Sequence, residues 1–438
     1  MTMTAAVGFI MLFGLMYALM KNKMMPIVIF VTIPVVAAVI LGNSPAAIGK
    51  MVNAGLNSVW KTAVLFIFST SYFGIMNDAG MFDPVVEKLI KISKGNVIAV
   101  TMATAVVATL GHLDGATATT VLVTIPAMLP LYKKLNISPY SLLLITGTAM
   151  GVMNLVPWGG PIVRVASVLN MDVTELWHMI LPFQGVALAA TFGVAIVCGI
   201  FEKKAGAGIA NAEQIQEAAN TTSSDPEFES LKRPKLFLFN IALTLVLLVF
   251  LCLSILPTHV CFMIAFGIGI SVNYPGLKEQ RARFKAHASE SLDMSATLLA
   301  AAVFIGVMQK SGMLDAMVKV LLAIIPDALG TYMNLITGFI SLPVGAVLGA
   351  DTFYFGVFPL LGKAAAAFGI PQIDVGVAML IGKNVGMIIS PLQPTTYLAC
   401  GLAGVDVAAH IKRNFGWCWL ISLILCVVAI LMGVMHIY

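Results

Sequence analysis

The second half of this sequence repeats short motifs of the first half in the same order, and this duplication constrains the fold more than any other feature. Gly80 and Asp83 in one copy, for example, are matched by Gly312 and Asp315 in the other. The matched motifs, offset by 232 to 237 residues, are 76–83 with 308–315, 113–115 with 350–352, 147–151 with 382–386, Pro157 with Pro391, and 172–173 with 406–407. We therefore predict two related repeats, each filling about half of the chain.

The composition indicates that this chain is an all-α integral membrane protein. Of its 438 residues, 59% are hydrophobic and only 10% are charged, whereas a soluble domain carries about 25% charged residues. The mean hydropathy of +0.97 makes membrane lipid the expected surroundings. The net charge of +5 is small and gives no support to a nucleic-acid partner. The six cysteines show no metal-ligand spacing and are expected to be free thiols.

Uninterrupted apolar runs predict eight ordinary spanning helices. At about 1.5 Å per residue, runs of this length cross or nearly cross about 30 Å of hydrocarbon. The first run lacks a small-residue cleavage site before Lys21, so we expect a retained helix and not a signal peptide. The predicted spans are 4–20, 26–42, 60–76, 178–200, 237–255, 258–275, 293–309 and 415–436.

Four other apolar segments are interrupted by polar residues. Segments 139–175 and 374–408 are too long for single helices, and their proline-rich stretches must break them. Segments 96–131 and 331–368 contain a polar tip near the middle, which predicts re-entrant hairpins that enter and leave by one side of the membrane.

These segments give each repeat five crossings and one hairpin. Because five is odd, the second repeat is predicted to be inverted relative to the first. The first repeat is assigned to 1–202, a flexible cytoplasmic linker to 203–235, and the second repeat to 236–438. Most of the 25 Lys and Arg residues then face the cytoplasm of a bacterial inner membrane, which places both termini outside. The amphipathic stretches 78–94 and 310–326 are expected to lie along the interface.

Inverted repeats with interrupted helices are typical of secondary transporters. Broken helices expose N–H groups that favour anions and carbonyl groups that favour cations, so an anionic solute moving with a cation fits this core. Asp114 and Asp351 occupy matched tips, where a charge is costly unless it is paired, and they are candidates for binding Na+ or H+. Alternatively, each acid caps a helix of its hairpin.

The basic residues near the breaks are candidates for binding an anion. Arg164 and Lys383 can each bind a carboxylate, Arg164 through two parallel hydrogen bonds. Alternatively, Arg164 snorkels to the outer interface, and Lys383 neutralises Asp351 or Asp114. His112 either carries a proton or makes structural hydrogen bonds.

The candidate site residues are polar or small and lie at the two tips and the two breaks. For substrate binding they are His112, Thr117, Thr119, Asn154, Trp158, Gly159, Gly160, Arg164, Lys383, Asn384, Gln393, Thr395 and Thr396. For cation coupling they are Asp114, Thr117, Asn154, Asp351, Thr352 and Ser390. No residues are assigned as ligands of a protein-bound metal.

In these motifs the sequence resembles the citrate–metal:proton symporter family (CitMHS) of the ion transporter superfamily, over essentially its full length. The resemblance is carried by 72–76, 80–84, 113–115, 127–132, 151–154, the Pro-Trp-Gly-Gly-Pro run 157–161, 390–392 and Tyr397. It implies a homodimer in which hairpins and broken helices form a transport domain that moves against a scaffold domain, as in an elevator. It also implies uptake of citrate or a related carboxylate, usually as a complex with a divalent metal.

The first tip departs from the family pattern. Family members often carry Asp-Gly-Asp-Gly-Thr there, whereas Ala116 stands in place of the second acid. Mg2+ and Ca2+ prefer several carboxylate oxygens, so we expect this chain to bind a carboxylate without requiring a metal.

We predict a symporter, without a cofactor and not an enzyme, that imports citrate or a related di- or tricarboxylate with H+ or Na+. The alternative is a Na+/H+ antiporter of the same superfamily, in which Arg164 and Lys383 would have no evident role.

Overall fold

A computed structural model describes residues 2–21, 23–93, 95–208 and 226–438, and the regular structure in these ranges is helical without a β-strand. The helices of the first half are α1 (Met3–Lys21), α2 (Pro26–Ile40), α3 (Pro45–Asp78), α4 (Asp83–Ser93), α5 (Val97–Gly111), α6 (Thr117–Lys134), α7 (Pro139–Met153), α8 (Gly160–Leu169) and α9 (Val173–Lys204).

The helices of the second half follow a short connecting helix, α10 (Pro226–Leu231), and a 3-10 turn (Pro234–Leu236). They are α11 (Phe237–Cys252), α12 (Thr258–Asn273), α13 (Leu277–Lys310), α14 (Met313–Leu322), α15 (Asp327–Gly330), α16 (Met333–Asp351), a π-helix (Thr352–Val357), α17 (Phe358–Ala366), α18 (Gln372–Asn384), α19 (Pro394–Ala403) and α20 (Val407–Leu431).

Length and composition identify helices that can cross a membrane, which confirms the predicted all-α architecture of apolar helices. Six spans are long and apolar enough: Pro45–Asp78, Val173–Lys204, Pro234–Cys252, Leu277–Lys310, Met333–Ala366 and Val407–Leu431. Shorter apolar helices, among them Met3–Leu19, Pro26–Ile40 and Thr258–Asn273, lie where crossings were also predicted.

Two helices begin far earlier than their apolar runs. The predicted spans 60–76 and 293–309 are the C-terminal halves of α3 and α13, which are each 34 residues long. The apolar run begins only after the last polar residue, but the helix itself begins at a capping residue further towards the N-terminus. In α3 that residue is Ser44, whose side chain accepts a hydrogen bond from the N–H of Ala47.

The interrupted segments 139–175 and 374–408 also have different limits from those predicted. Each is a pair of short helices, α7 with α8 and α18 with α19, and each predicted segment runs a few residues into the following long helix. Asp172 and Asp406 start those long helices by accepting hydrogen bonds from the N–H groups of Thr174 and Ala409, both at 2.8 Å. An acidic cap therefore marks the true boundary.

Both polar tips interrupt helices. Between α5 and α6 the chain turns through residues 112–116, where Gly115 has a φ of +73°. In α16 the interruption is at Gly349, with φ 72° and ψ 168°, two residues before Asp351. A positive φ is strained for a residue with a side chain, so glycine makes each break possible.

The order of elements is the same in the two halves. Each contains a 34-residue helix, a short helix that follows a positive-φ glycine, an interrupted apolar pair, a broken helix and a long final helix. The inverted relation of the two halves stays a prediction.

The helices pack in two groups that each combine elements of both halves. In one group, α3 lies along α13 and α12, and α1, α2 and α14 join them; in the other, α5 to α9 pack with one another and α16 to α20 do the same. The broken helices α7 and α18 cross within this second group.

The predicted linker 203–235 lies partly outside the described residues, but its C-terminal part is anchored. The N–H of Arg233 donates to the carbonyl of Ala79 at 3.0 Å, and the Lys232 ammonium lies 2.8 Å from the Asp83 carboxylate. Partial burial opposes the charge of Lys232, but its hydrogen bonds to Asp83 and Glu229 outweigh that effect and raise its pKa.

The crossing of α7 and α18 generates the first prediction. A methyl group at Gly151 would stand 2.3 Å from the carbonyl oxygen of Asn384, so backbone must move to admit it. We expect Gly151→Ala to reduce the unfolding free energy by about 1–3 kcal/mol, the usual cost of overpacking. Thermal unfolding in detergent measures the change.

Gly193→Ala is the matched control, because a side chain at Gly193 meets nothing within 4 Å. Equal melting temperatures for Gly151→Ala and Gly193→Ala would show that the two broken helices do not cross at this point.

Candidate functional site

The first tip is held against the first break by a tryptophan. The indole Nε1 of Trp158 donates to the carbonyl oxygen of Leu113 at 2.6 Å. A side chain at Gly115 would come within 3.3 Å of the Trp158 carbonyl oxygen. Trp158 is itself buried and stacks on Phe73, with ring centroids 5.6 Å apart. Trp158 therefore positions the tip and is not free to contact a solute with its indole N–H.

The chain folds too tightly at Gly159 to admit a side chain, whereas at Gly160 a side chain would meet only the flexible end of Arg164. A side chain at Gly159 would stand 2.2 Å from the Asn154 carbonyl oxygen, and one at Gly160 would meet the Arg164 guanidinium at 2.6 Å. Gly160 begins α8, whose first N–H groups favour negative charge.

His112 and Asn154 are buried neighbours with spare hydrogen-bonding capacity. The Nδ1 atom of His112 lies 2.6 Å from the Thr120 hydroxyl oxygen. That hydroxyl also donates to the backbone of the tip, to Ala116 or Gly111. The His112 Nε2 and Asn154 Nδ2 atoms have no hydrogen-bond partner among the described residues. His112 thus makes structural contacts through one nitrogen and can bind a ligand through the other.

The Asp114 carboxylate binds the backbone of its own tip. Its Oδ1 accepts a hydrogen bond from the N–H of Ala116 at 2.8 Å, and Thr119 lies beside its carboxylate. Glu290 of α13 is close enough to act on Asp114 electrostatically. This contact lies within the tip and is not a helix N-cap, because Ala116 is the N-cap residue of α6 and makes no side-chain capping bond. A cation-coupling role of Asp114 stays a prediction.

A pair of hydroxyl groups joins the first tip to the second break. Thr117 Oγ1 and Thr395 Oγ1 are 2.8 Å apart, at the first turns of α6 and α19. The second break is closed by Ser390, whose hydroxyl donates to the Ala346 carbonyl at 2.6 Å, and by Thr396, which donates to the Ser390 carbonyl at 2.8 Å. Gln393 precedes α19 without a side-chain capping bond.

Arg164 binds Asp351, which neither sequence alternative predicted. Its Nε and Nη2 atoms lie 2.8 and 2.7 Å from the same oxygen, Oδ1. The pair lies where α8 packs beside the π-helix that begins at the buried Thr352. The snorkelling alternative for Arg164 stays a prediction. Asp351 makes no capping hydrogen bond, so for this acid the capping alternative is wrong.

Lys383 lies in the protein interior without an acidic partner. Its side chain crosses Gly345 of α16, and its Nζ is 5.4 Å from the ring centroid of Tyr354. No carboxylate of a described residue forms a salt bridge with it, so Lys383 makes no direct ion pair with Asp351 or Asp114, although it lies close enough to Asp351 to feel its charge. The adjacent Asn384 accepts a hydrogen bond from the Tyr354 hydroxyl at 3.3 Å, while its Nδ2 has no partner.

The structure thus brings the two tips and the two breaks together at the centre of the molecule. The first tip contacts each break, through Trp158 and Thr395, and the second tip contacts each break, through Arg164 and Ser390. Sequence reasoning missed Tyr354. Tyr354 lies one helical turn after Asp351, a spacing that signals a shared face.

Interrupted helices of this kind, surrounded by apolar spans, define a multi-pass membrane protein with a polar centre. A family model described as "Citrate transporter" matches residues 15–382. The chain belongs to this citrate transporter family, and the family predicted from the motifs is confirmed.

Two curated relatives from Bacillus subtilis (strain 168) match along the whole chain. One, a "Citrate transporter", is 38% identical over 432 residues, which are 99% of this chain and 99% of the relative. The other, a "Mg(2+)/citrate complex secondary transporter", is 37% identical over 436 residues, which are 99% of this chain and 100% of the relative. Among solved structures, the Alcanivorax borkumensis YdaH transporter has a similar fold, with a TM-score of 0.55, 15% identity and 88% of each chain covered.

The hydrogen bond of Trp158 gives the second prediction. Phenylalanine keeps most of the ring packing but leaves the partly buried Leu113 carbonyl without its donor, at a cost of about 1 kcal/mol. We expect Trp158→Phe to increase hydrogen exchange of the backbone amides at residues 111–118, measured by mass spectrometry.

Trp417→Phe serves as the control, because Trp417 is 44% exposed and its ring contact with Phe201 survives the change. Unchanged exchange at the tip in Trp158→Phe would mean that the indole does not hold it.

Proposed function

We propose that this protein is a secondary active symporter that imports citrate or a related di- or tricarboxylate across a bacterial inner membrane, coupled to H+ or Na+. The observation that carries the proposal is Lys383, which is only 6% exposed and has no carboxylate of a described residue within 4.0 Å. A buried cation is costly unless an anion pairs with it. The transported carboxylate supplies that anion.

The surroundings of Lys383 suit a carboxylate. The unpartnered Nδ2 atoms of Asn384 and Asn154 are donors, and a carboxylate only accepts hydrogen bonds when it is ionised. Asn154 lies three residues after Gly151, and a side chain at Gly151 would stand 2.3 Å from the Asn384 carbonyl oxygen. The two asparagines therefore belong to one crossing of broken helices. With Arg164 and Asp351 nearby, the side chains hold two positive charges and one negative charge.

Membership of the citrate transporter family and the names of the two relatives support citrate as the cargo. A Na+/H+ antiporter would leave a buried lysine without an anion to bind. A carboxylate transporter gives that lysine its counter-ion in every loaded state.

The two packing groups suggest how the solute moves. We propose that α1, α2, α3 and α11 to α14 form the scaffold of a homodimer, with both termini outside. The second group, α5 to α9 with α16 to α20, holds every broken helix and forms the transport domain of an elevator.

A metal–citrate complex is a second candidate cargo, favoured by the relative named as a Mg2+/citrate complex transporter. Its metal would travel as part of the substrate. The first tip offers one acid, Asp114, and in the described ranges no three His, Cys, Asp or Glu side chains are grouped to hold a metal ion. We therefore favour free carboxylate as the bound form.

The third prediction separates the two cargoes. Citrate is expected to bind the purified protein in chelator-treated buffer, as measured by calorimetry, because Lys383 needs only a carboxylate. Lys383→Gln is expected to weaken binding by about 30-fold to a few thousandfold, since truncating one partner of a buried charge pair costs about 2–5 kcal/mol.

Lys412→Gln removes an exposed lysine and is the matched control. If wild-type protein binds citrate only after Mg2+ or Ca2+ is added, the metal complex is the cargo. If a panel of carboxylates fails to bind with or without metal, the proposed function is wrong.

The fourth prediction concerns coupling. Asparagine at position 114 keeps an oxygen to accept the Ala116 N–H but loses the charge that binds Na+ or H+. We expect Asp114→Asn to fold normally and to abolish ion-driven accumulation of labelled citrate in proteoliposomes.

Asp172→Asn is a close control, because Asp172 accepts a backbone N–H two residues ahead at the same 2.8 Å. Normal accumulation against a gradient by Asp114→Asn would leave Asp114 with its structural contact only.

A further inference from the structure

The ion pair between Arg164 and Asp351 uses only part of the guanidinium. Both contacting nitrogens, Nε and Nη2, converge on one carboxylate oxygen. The third nitrogen, Nη1, lies over Gly160 at the start of α8, close enough that a side chain there would meet it at 2.6 Å. One arginine thus connects the second tip with the N-terminus of the half-helix that follows the first break.

Two basic side chains lie near the carboxylate of Asp351. From α8 comes Arg164, and from α18 comes Lys383, which feels the charge of both partners. The π-helix adds Tyr354. The nearest base on α17, Lys363, is occupied by Asp315 of α14.

The remaining neighbour, α1, presents apolar residues: Leu12 lies 3.2 Å from the position of a side chain at Gly356. While ionised, Asp351 cancels one of the two positive charges, and when neutral it cancels neither.

We propose that Arg164 is shared between Asp351 and a carboxylate of the transported anion, and that protonation of Asp351 decides which of the two it binds. The proton comes from the solvent and adds to a carboxylate oxygen of Asp351. Arg164 then exchanges that neutral acid for a carboxylate of the solute, and no covalent bond of the solute changes.

This exchange couples the two ligands by thermodynamic necessity. A guanidinium that is bound to Asp351 cannot give the same two N–H groups to another carboxylate. If a proton on Asp351 strengthens anion binding, then the anion strengthens proton binding by the same factor.

The inference rests on the proposed function, and its test is the proton count on binding. Citrate is titrated into purified wild-type protein by calorimetry in two buffers of different ionisation enthalpy, between about pH 7 and 9, where the carboxylates of free citrate stay ionised and take up no proton themselves. We expect uptake of about one proton per citrate and up to about tenfold weaker binding per pH unit as the pH rises.

Asp351→Asn should bind citrate with about one proton fewer and without that pH dependence, because Arg164 is then always available. Asp315→Asn removes a nearby acid of a different ion pair and should match the wild type. The double variant Arg164→Gln/Asp351→Asn removes both charges and replaces the single variant if that one does not fold.

An unchanged proton count and pH dependence in Asp351→Asn, or in the double variant, would overturn the inference while leaving carboxylate transport intact. Absence of citrate binding by wild-type protein at every pH would instead overturn the proposed function.

Discussion

A helix that stops inside a membrane leaves backbone N–H and C=O groups without partners, and lipid offers no water to satisfy them. At three points in the centre of this protein a side chain satisfies a backbone group beside such a stop, and at two of them the side chain comes from another element. The Trp158 indole binds the carbonyl of Leu113, and the Ser390 hydroxyl binds that of Ala346. Asp114 binds the N–H of Ala116. The first tip therefore depends on the first break, and the second break on the second hairpin.

The polar residues of the two halves also converge. Thr117 reaches Thr395, and Arg164 reaches Asp351, so each tip contacts an element from the other half of the chain. The charged side chains converge at the same place. Lys383 and Arg164 together carry more positive charge than Asp351 cancels, which favours an anionic solute at the centre and links the cargo to the state of one acid.

The sequence indicates the places but not the pairings. Polar residues in apolar segments located the tips and breaks, because membrane burial makes such residues conspicuous. The ion pair of Arg164 was not predictable, because residues 187 positions apart in the chain give no local signal of contact. Lys383 was the more obvious partner for Asp351 by position, yet α18 directs it towards Tyr354. The early start of α3 was missed for another reason, since hydropathy reports burial in lipid and not helix length.

Gly55 and Gly306 let the two 34-residue helices, α3 and α13, pack in direct backbone contact, and this contact is useful for measurements of motion. A side chain at Gly55 of α3 would stand 1.9 Å from the Ala302 carbonyl oxygen, and one at Gly306 of α13 would stand 2.2 Å from the Met51 carbonyl oxygen. Backbones in such close contact cannot slide past each other without separating completely. A pair of spectroscopic labels on α3 and α13 therefore provides a fixed internal ruler, against which any displacement of the remaining helices can be measured within the same molecule.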